Sequence, residues 1–130
     1  MGEELLPHPS GAEEAARALF EAPFVVVSHG LGKDPVLNYG NRKALELWEM
    51  TWDSFIHTPS RLTAEILSRP ERTAMLAKVS EQGYSKDYRG VRISSSGKRF
   101  RIEQAMIWNV VNSEGRLFGQ AAAFHRWVYL

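Results

Sequence analysis

The residues of this chain best suited to chemistry are scattered. His8, His29, His57 and His125 have no metal-ligand spacing, and no metal site is expected. Serine, histidine and aspartate all occur, but there is no G-x-S-x-G elbow, no phosphate loop ending in Gly-Lys-Ser/Thr and no H-E-x-x-H helix. Gly30-Leu31-Gly32-Lys33 is too short to wrap a phosphate and runs into Asp34-Pro35 rather than a helix start, so it reads as a turn. Cysteine is absent, which removes thiolate metal sites, a cysteine nucleophile, disulfides and thioether attachment of a chromophore. Binding, not catalysis, is the expected business of this chain.

The elements that position these residues belong to one domain, because 130 residues is close to the working size of a single unit. The hydrophobic share of 44% and charged share of 24% are those of an ordinary globular protein. No apolar run approaches the roughly 18 residues of a membrane helix, and Met1–Ser10 has no secretory pattern. A cytoplasmic protein without a membrane partner is expected. The net charge of +1 is uninformative about nucleic acid. Residues 78–101 are nonetheless basic, through Lys78, Lys86, Arg89, Arg92, Lys98, Arg99 and Arg101. They form either a polyanion site or, as we read them, solvated strand and turn positions.

Ser10 and Glu13 form a capping box for a helix over 11–21, with Ala15, Ala16, Leu19 and Phe20 on its apolar side and Pro23 as its stop. Strands are predicted over 24–29 and 36–39. Helical signals follow: Asn41 as cap before Ala44, Leu45, Leu47 and Trp48, Thr51 before Trp52 and Phe55, then Thr58-Pro59. Pro70 opens a longer helix with Met75, Leu76 and Val79 on one side and Gly83 at its end. Period-two patterning then predicts strands over 87–95, 99–111 and 116–127, joined by turns at Ser95–Lys98 and Asn112–Gly115. Strict alternation puts Phe100, Ile102, Gln104, Met106 and Trp108 on one face of the long strand, with Ala105 and Ile107 on the other.

Two strands, several short helices and three strands is the PAS order. Asn38-Tyr39-Gly40-Asn41, Ala44–Glu49, Pro59–Glu65, Tyr88–Ser94, Arg99–Ile102, Trp108-Asn109 and Gly119–Ala122 resemble the MEKHLA domain family in particular, over residues 24–127. The resemblance implies an α+β, PAS-like fold: a five-stranded antiparallel sheet with short helices on one face. An N-terminal flanking helix precedes it, residues 1–23 being the flanking segment and 24–130 the domain. It also implies a sensory, ligand-binding or regulatory signalling module. The DNA-binding parts of the plant homeodomain–leucine zipper relatives are not expected in this chain, and neither is a nucleic-acid partner.

In PAS relatives the strand face carrying the Phe three residues after the hairpin glycine looks into the pocket. The resemblance therefore sends Phe100, Ile102, Gln104, Met106 and Trp108 inward, together with Arg92 on the preceding strand. A buried guanidinium needs a partner. For Arg92 that is either Glu49 or Glu65, as a structural ion pair, or the carboxylate or phosphate of a small-molecule ligand. Arg61 is a second anion-binding candidate, and Trp48, Trp52 and Trp108 are core or pocket wall. No cofactor is expected: the cysteine of flavin-binding light sensors is missing, and residues 70–82 hold no histidine for haem. A ligand-free interaction module and a small enzyme of the cystatin-like kind are the alternatives; for the enzyme only Glu103 sits on a suitable strand. Ala105, Ile107, Val111, Phe118, Ala122 and Phe124 are expected to form an apolar outer face, only partly covered by the N-terminal helix, through which two copies form a homodimer.

Overall fold

Val25 and Val27 point to one side of a short strand and Val26 to the other, so both of its faces need covering. A computed structural model of the protein describes residues 12–65 and 68–130 and shows how this is done. The elements are α1 (Ala12–Phe20), β1 (Val25–His29), β2 (Leu37–Gly40), α2 (Arg42–Trp48), α3 (Trp52–Phe55), a 3-10 turn (Ser60–Thr63), α4 (Arg69–Gln82), β3 (Tyr84–Ile93), β4 (Arg99–Val111), β5 (Leu117–Phe124) and β6 (Arg126–Tyr129). The strands form one antiparallel sheet in the order β2-β1-β5-β4-β3, with β6 also on β4. β5 and β6 are the two halves of the predicted last strand, interrupted at His125 while keeping one register along β4.

Asn41 is the joint of the N-terminal half. Its Oδ1 accepts from the amides of Ala44, capping α2, and of Val26, at 3.2 and 3.1 Å. Its Nδ2 donates to the carbonyls of Phe24 and Leu19 at 2.8 and 3.2 Å. One fully buried amide thus ties α1, β1 and α2 together. Thr51 caps α3 as predicted, but Thr58 does not cap the 3-10 turn: its hydroxyl donates to the Ser54 carbonyl. The Ser10 cap proposed for α1 lies outside the described residues. The end of α1 docks on α2 and α3, where Phe20 meets the Trp52 ring edge-on at 6.4 Å and Glu21 pairs with Arg42. No residue of α1 is buried, so its apolar side does not pack as the partial sheet cover that was expected.

The core lies between the sheet and α2–α4, and it holds Val25, Leu37, Leu47, Trp48, Phe55, Val79, Phe100, Ile102, Ala105, Ile107 and Phe124. This overturns the strict alternation on β4. Three residue steps along β4, from Ile102 to Ala105, match two along β3, from Gly90 to Tyr88. The extra residue is taken up at Gln104, whose φ is 53°. Beyond this bulge the parity of the strand reverses. Ala105 and Ile107 face the core, as do Ala122 and Phe124 of β5, while Gln104 and Met106 are exposed. The apolar outer patch that motivated a homodimer is therefore not made of those residues: four of the six, Ala105, Ile107, Ala122 and Phe124, belong to the core or pack against it.

Candidate functional site

The sheet, α2, α3, the 3-10 turn and α4 converge on a cavity of about 60 Å³ under the helical layer. The sheet supplies Val27, His29, Arg92, Ile102, Ile107, Gln120, Ala122 and Phe124; α4 supplies Arg72, Met75 and Leu76; Ser60 and Thr63 come from the 3-10 turn. Trp48, Phe55 and Leu37 close the other end. A single water needs about 10–15 Å³ of such space, so the cavity has room for several waters or one small organic molecule.

Arg92 comes inward because β3 alternates regularly there, with Tyr88, Gly90 and Arg92 all buried. Gly90 makes the arrangement work. A Cβ at that position would run into the Tyr88 hydroxyl and stand 2.9 Å from Arg92 Nη1. In the space left free, Arg92 lies over the Tyr88 ring, 5.6 Å from its centroid. Its Nη2 donates to the Tyr88 hydroxyl at 3.3 Å and its Nη1 to the Val91 carbonyl at 2.9 Å. Tyr88 in turn donates to Glu71 at 2.9 Å. Burial, the largest influence, raises the Tyr88 pKa above its ordinary value.

The second guanidinium was not foreseen. Arg72, only 7% exposed, donates to the Ser60 hydroxyl from the first turns of α4. Burial and then the nearby positive charge of Arg92 pull its pKa down to about 10. Its helical phase was a usable signal: Arg72, Met75, Leu76 and Val79 fall at i, i+3, i+4 and i+7, so an arginine occupies the apolar face of α4.

Neither buried arginine has a carboxylate partner. The ion pairs among the described residues are Arg42–Glu21, Arg61–Asp34, Arg99–Glu65 and Arg101–Glu103. Glu49 and Glu65, the internal partners considered for Arg92, are committed elsewhere. Glu49 accepts from Ser94 and Ser96, and these bonds hold its carboxyl below the ordinary carboxylate value. Glu65 holds Arg99 at 2.9 Å.

Two further buried polar atoms, Trp48 Nε1 and His29 Nε2, have no hydrogen-bond partner among the described residues. His29 Nδ1 is 2.9 Å from the Gly30 carbonyl, which can only accept, so Nδ1 carries the proton and Nε2 presents a bare lone pair. Desolvation, ahead of every other influence, lowers the His29 pKa and so favours the neutral ring. Gln120, also unforeseen, is fully used, donating to the Leu76 carbonyl and to Asn109 Oδ1, both at 3.1 Å.

Of the residues singled out from sequence, Arg92, Trp48 and Ile102 line this cavity. The others do not. Arg61 is exposed and paired with Asp34 at 3.0 Å. Trp52 is 41% exposed and packs on Phe20 and Tyr39. Gln104 and Met106 are turned out by the bulge, as is Trp108, which stands opposite Ala121 on β5.

A family model for the MEKHLA domain matches residues 1–129. Among curated proteins, the chain is similar to the homeobox-leucine zipper protein HOX10 of Oryza sativa subsp. indica, with 24% identity over 134 residues. That alignment takes in the whole of this chain but only 16% of the relative. HOX29 of the same subspecies is 26% identical over 106 residues, 82% of this chain and 12% of the relative. The chain thus spans about a sixth or less of the relatives it matches. Among solved structures, a PAS domain from Colwellia psychrerythraea superposes with a TM-score of 0.73 at 15% identity, over 85% of this chain and 92% of that one. A light-oxygen-voltage domain studied with a flavin analogue gives a TM-score of 0.70 at 14% identity, covering 94% of this chain and 88% of that one. These likenesses establish the PAS-like α+β fold.

Proposed function

We propose that this chain, which belongs to the MEKHLA domain family of PAS-like sensory and regulatory modules, senses a small carboxylate-bearing molecule in the cavity under α4 and has no chemistry of its own. One observation carries the reading: two arginines, each more than nine-tenths buried, face one cavity and neither has a carboxylate partner among the described residues. Burying a charge without a counter-charge costs several kcal/mol, and a filled, ligand-free core of this size gains nothing from two such groups. A bound carboxylate repays that cost by accepting from both guanidiniums, and Trp48 Nε1 offers one donor more. The volume favours a molecule of a few heavy atoms over a three-ring flavin. The apolar share of the wall, from Val27, Leu37, Phe55, Met75 and Ile107, suits a short hydrocarbon tail. Occupancy would be reported through α4, because Arg72, Met75 and Leu76 all belong to it.

The test is thermal unfolding and tryptophan fluorescence of the purified protein with propionate and isovalerate, alongside the neutral amides of both. Trp48 lies in the cavity wall and serves as the reporter. The acids are expected to stabilise the protein and shift the emission, and the amides to do neither. Arg92→Leu should abolish the response. Equal effects of acid and amide, or a response undiminished in Arg92→Leu, would overturn the proposal. Native mass spectrometry with a visible spectrum provides an independent check: a copurifying small acid is expected, whereas a flavin or haem band surviving gel filtration would contradict it.

A further inference from the structure

The arginines account for an anion, but not for His29. Its Nε2 is a buried acceptor with no partner, on the wall of the same cavity. A ligand that is only a carboxylate supplies acceptors and no donor, so it would leave this lone pair unmet. An unsatisfied buried acceptor is as costly as an unsatisfied donor, and it selects for a molecule that brings a proton to it. That donor has to be uncharged. Arg72 and Arg92 both line this cavity, and no carboxylate among the described residues pairs with either. An ammonium group would place another cation in this company. A hydroxyl brings the proton without the charge. Because Arg72, Arg92 and His29 line one cavity of about 60 Å³, which has room for only a few heavy atoms, carboxylate and hydroxyl must lie near one another on the ligand.

Building on the carboxylate reading, we propose that the preferred ligand is a small 2-hydroxy acid, its carboxylate on Arg72 and Arg92 and its hydroxyl donating to His29 Nε2. His29 is then a specificity residue. Three contacts keep it in place: the Nδ1–H bond to Gly30 fixes the ring's tautomer, and pairing with Leu37 on β2 and Gln120 on β5 fixes the backbone from both sides.

Matched probes test this: lactate against propionate, 2-hydroxyisovalerate against isovalerate, and alanine as the ammonium analogue, each by calorimetric titration. In the wild-type protein each hydroxy acid should bind about ten- to a hundredfold more tightly than its deoxy partner, the range that one unmet buried hydrogen bond supports. Alanine should bind more weakly than propionate. His29→Phe removes the acceptor but keeps a ring, and should bring the two members of each pair to within about twofold while retaining propionate binding. If both members of a pair bind the wild type equally and Arg92→Leu abolishes both, the carboxylate reading stands and the hydroxyl inference falls. Failure of every acid to bind would sink both. A preference for the hydroxy acid that persists undiminished in His29→Phe, in a variant shown by circular dichroism to be folded, would also overturn the role given to His29.

Discussion

The two ends of the cavity are built by the same sheet and answer to different demands. At one end Trp48 meets Phe55, Phe100 and Phe124 through tilted or edge-on rings with centroids 5.3–6.3 Å apart. Every ring there fills space that another ring defines, and apart from Trp48 Nε1 the region packs fully without a guest. At the other end Arg72 and Arg92 bring charge into the same low-dielectric layer without a carboxylate among the described residues to match it, and His29 Nε2 lacks a hydrogen-bond partner. The first region is a stability device. On the function proposed above, the second trades stability for a capacity to bind. Mutations should therefore separate the two: truncations at the aromatic end should be costly, and neutralisation at the polar end should be cheap or favourable.

The largest effect is expected at Phe100, which is fully buried between Trp48 and Tyr129. Phe100→Ala should destabilise the protein by about 3–5 kcal/mol in urea unfolding. A loss under about 1 kcal/mol would mean that the aromatic end collapses easily and that the contrast is misdrawn. Gly90→Ala comes next, at about 1–3 kcal/mol, because the added methyl must displace the Tyr88 hydroxyl or Arg92. The same change should weaken carboxylate binding, and Tyr88→Phe, which clears the hydroxyl from that space, should recover part of the lost stability. Arg92→Met then reverses the sign. Replacing an unpaired buried charge by an apolar side chain of similar length should leave stability unchanged or raise it by about 1–2 kcal/mol. A loss comparable to that of Phe100→Ala would show that Arg92 is a structural residue.

The same contrast explains what could be read from sequence. The aromatic end and the order of elements were legible because capping residues, a hairpin glycine and apolar periodicity are local signals: Asn41 and Thr51 cap where expected, and β4 has the predicted limits. Arg92 was reachable because only two strand steps and a tight turn separate it from the glycine that sets the register. Gln104 broke the chain of inference. A glutamine is no cue for a positive φ, and one bulged residue reverses every inward and outward assignment after it, which is why Met106 and Trp108 were sent to the wrong face. Asp87 (φ 57°), in β3, hosts a matching irregularity, and aspartate at least tolerates that conformation. Arg72 was legible in principle from its phase on α4, but an arginine in a polar-rich helix reads as surface. His29 was visible only as one of four scattered histidines, since what distinguishes it is a missing partner, and that is a property of three-dimensional surroundings.

The smallest predicted effect follows from that missing partner. His29 is held below the ordinary histidine pKa of 6.5, first by burial and then by Arg72, with the bond to Gly30 opposing both. The unfolded chain takes up a proton on this residue as pH falls through about 6.5, whereas the folded chain resists it until a lower pH. Over that interval the unfolded state binds more protons, so stability declines as pH drops and is independent of this group above the unfolded value. His29→Phe should remove this component, leaving a flatter stability profile between about pH 5 and 7 in chemical denaturation. Bound 2-hydroxyisovalerate should sharpen the difference, since a hydroxyl donating to Nε2 stabilises the neutral ring and drives the folded-state pKa lower still. A pH profile identical in the parent and in His29→Phe would mean that Nε2 is reached by water in solution. The polar end of the cavity would then be less closed than its geometry implies.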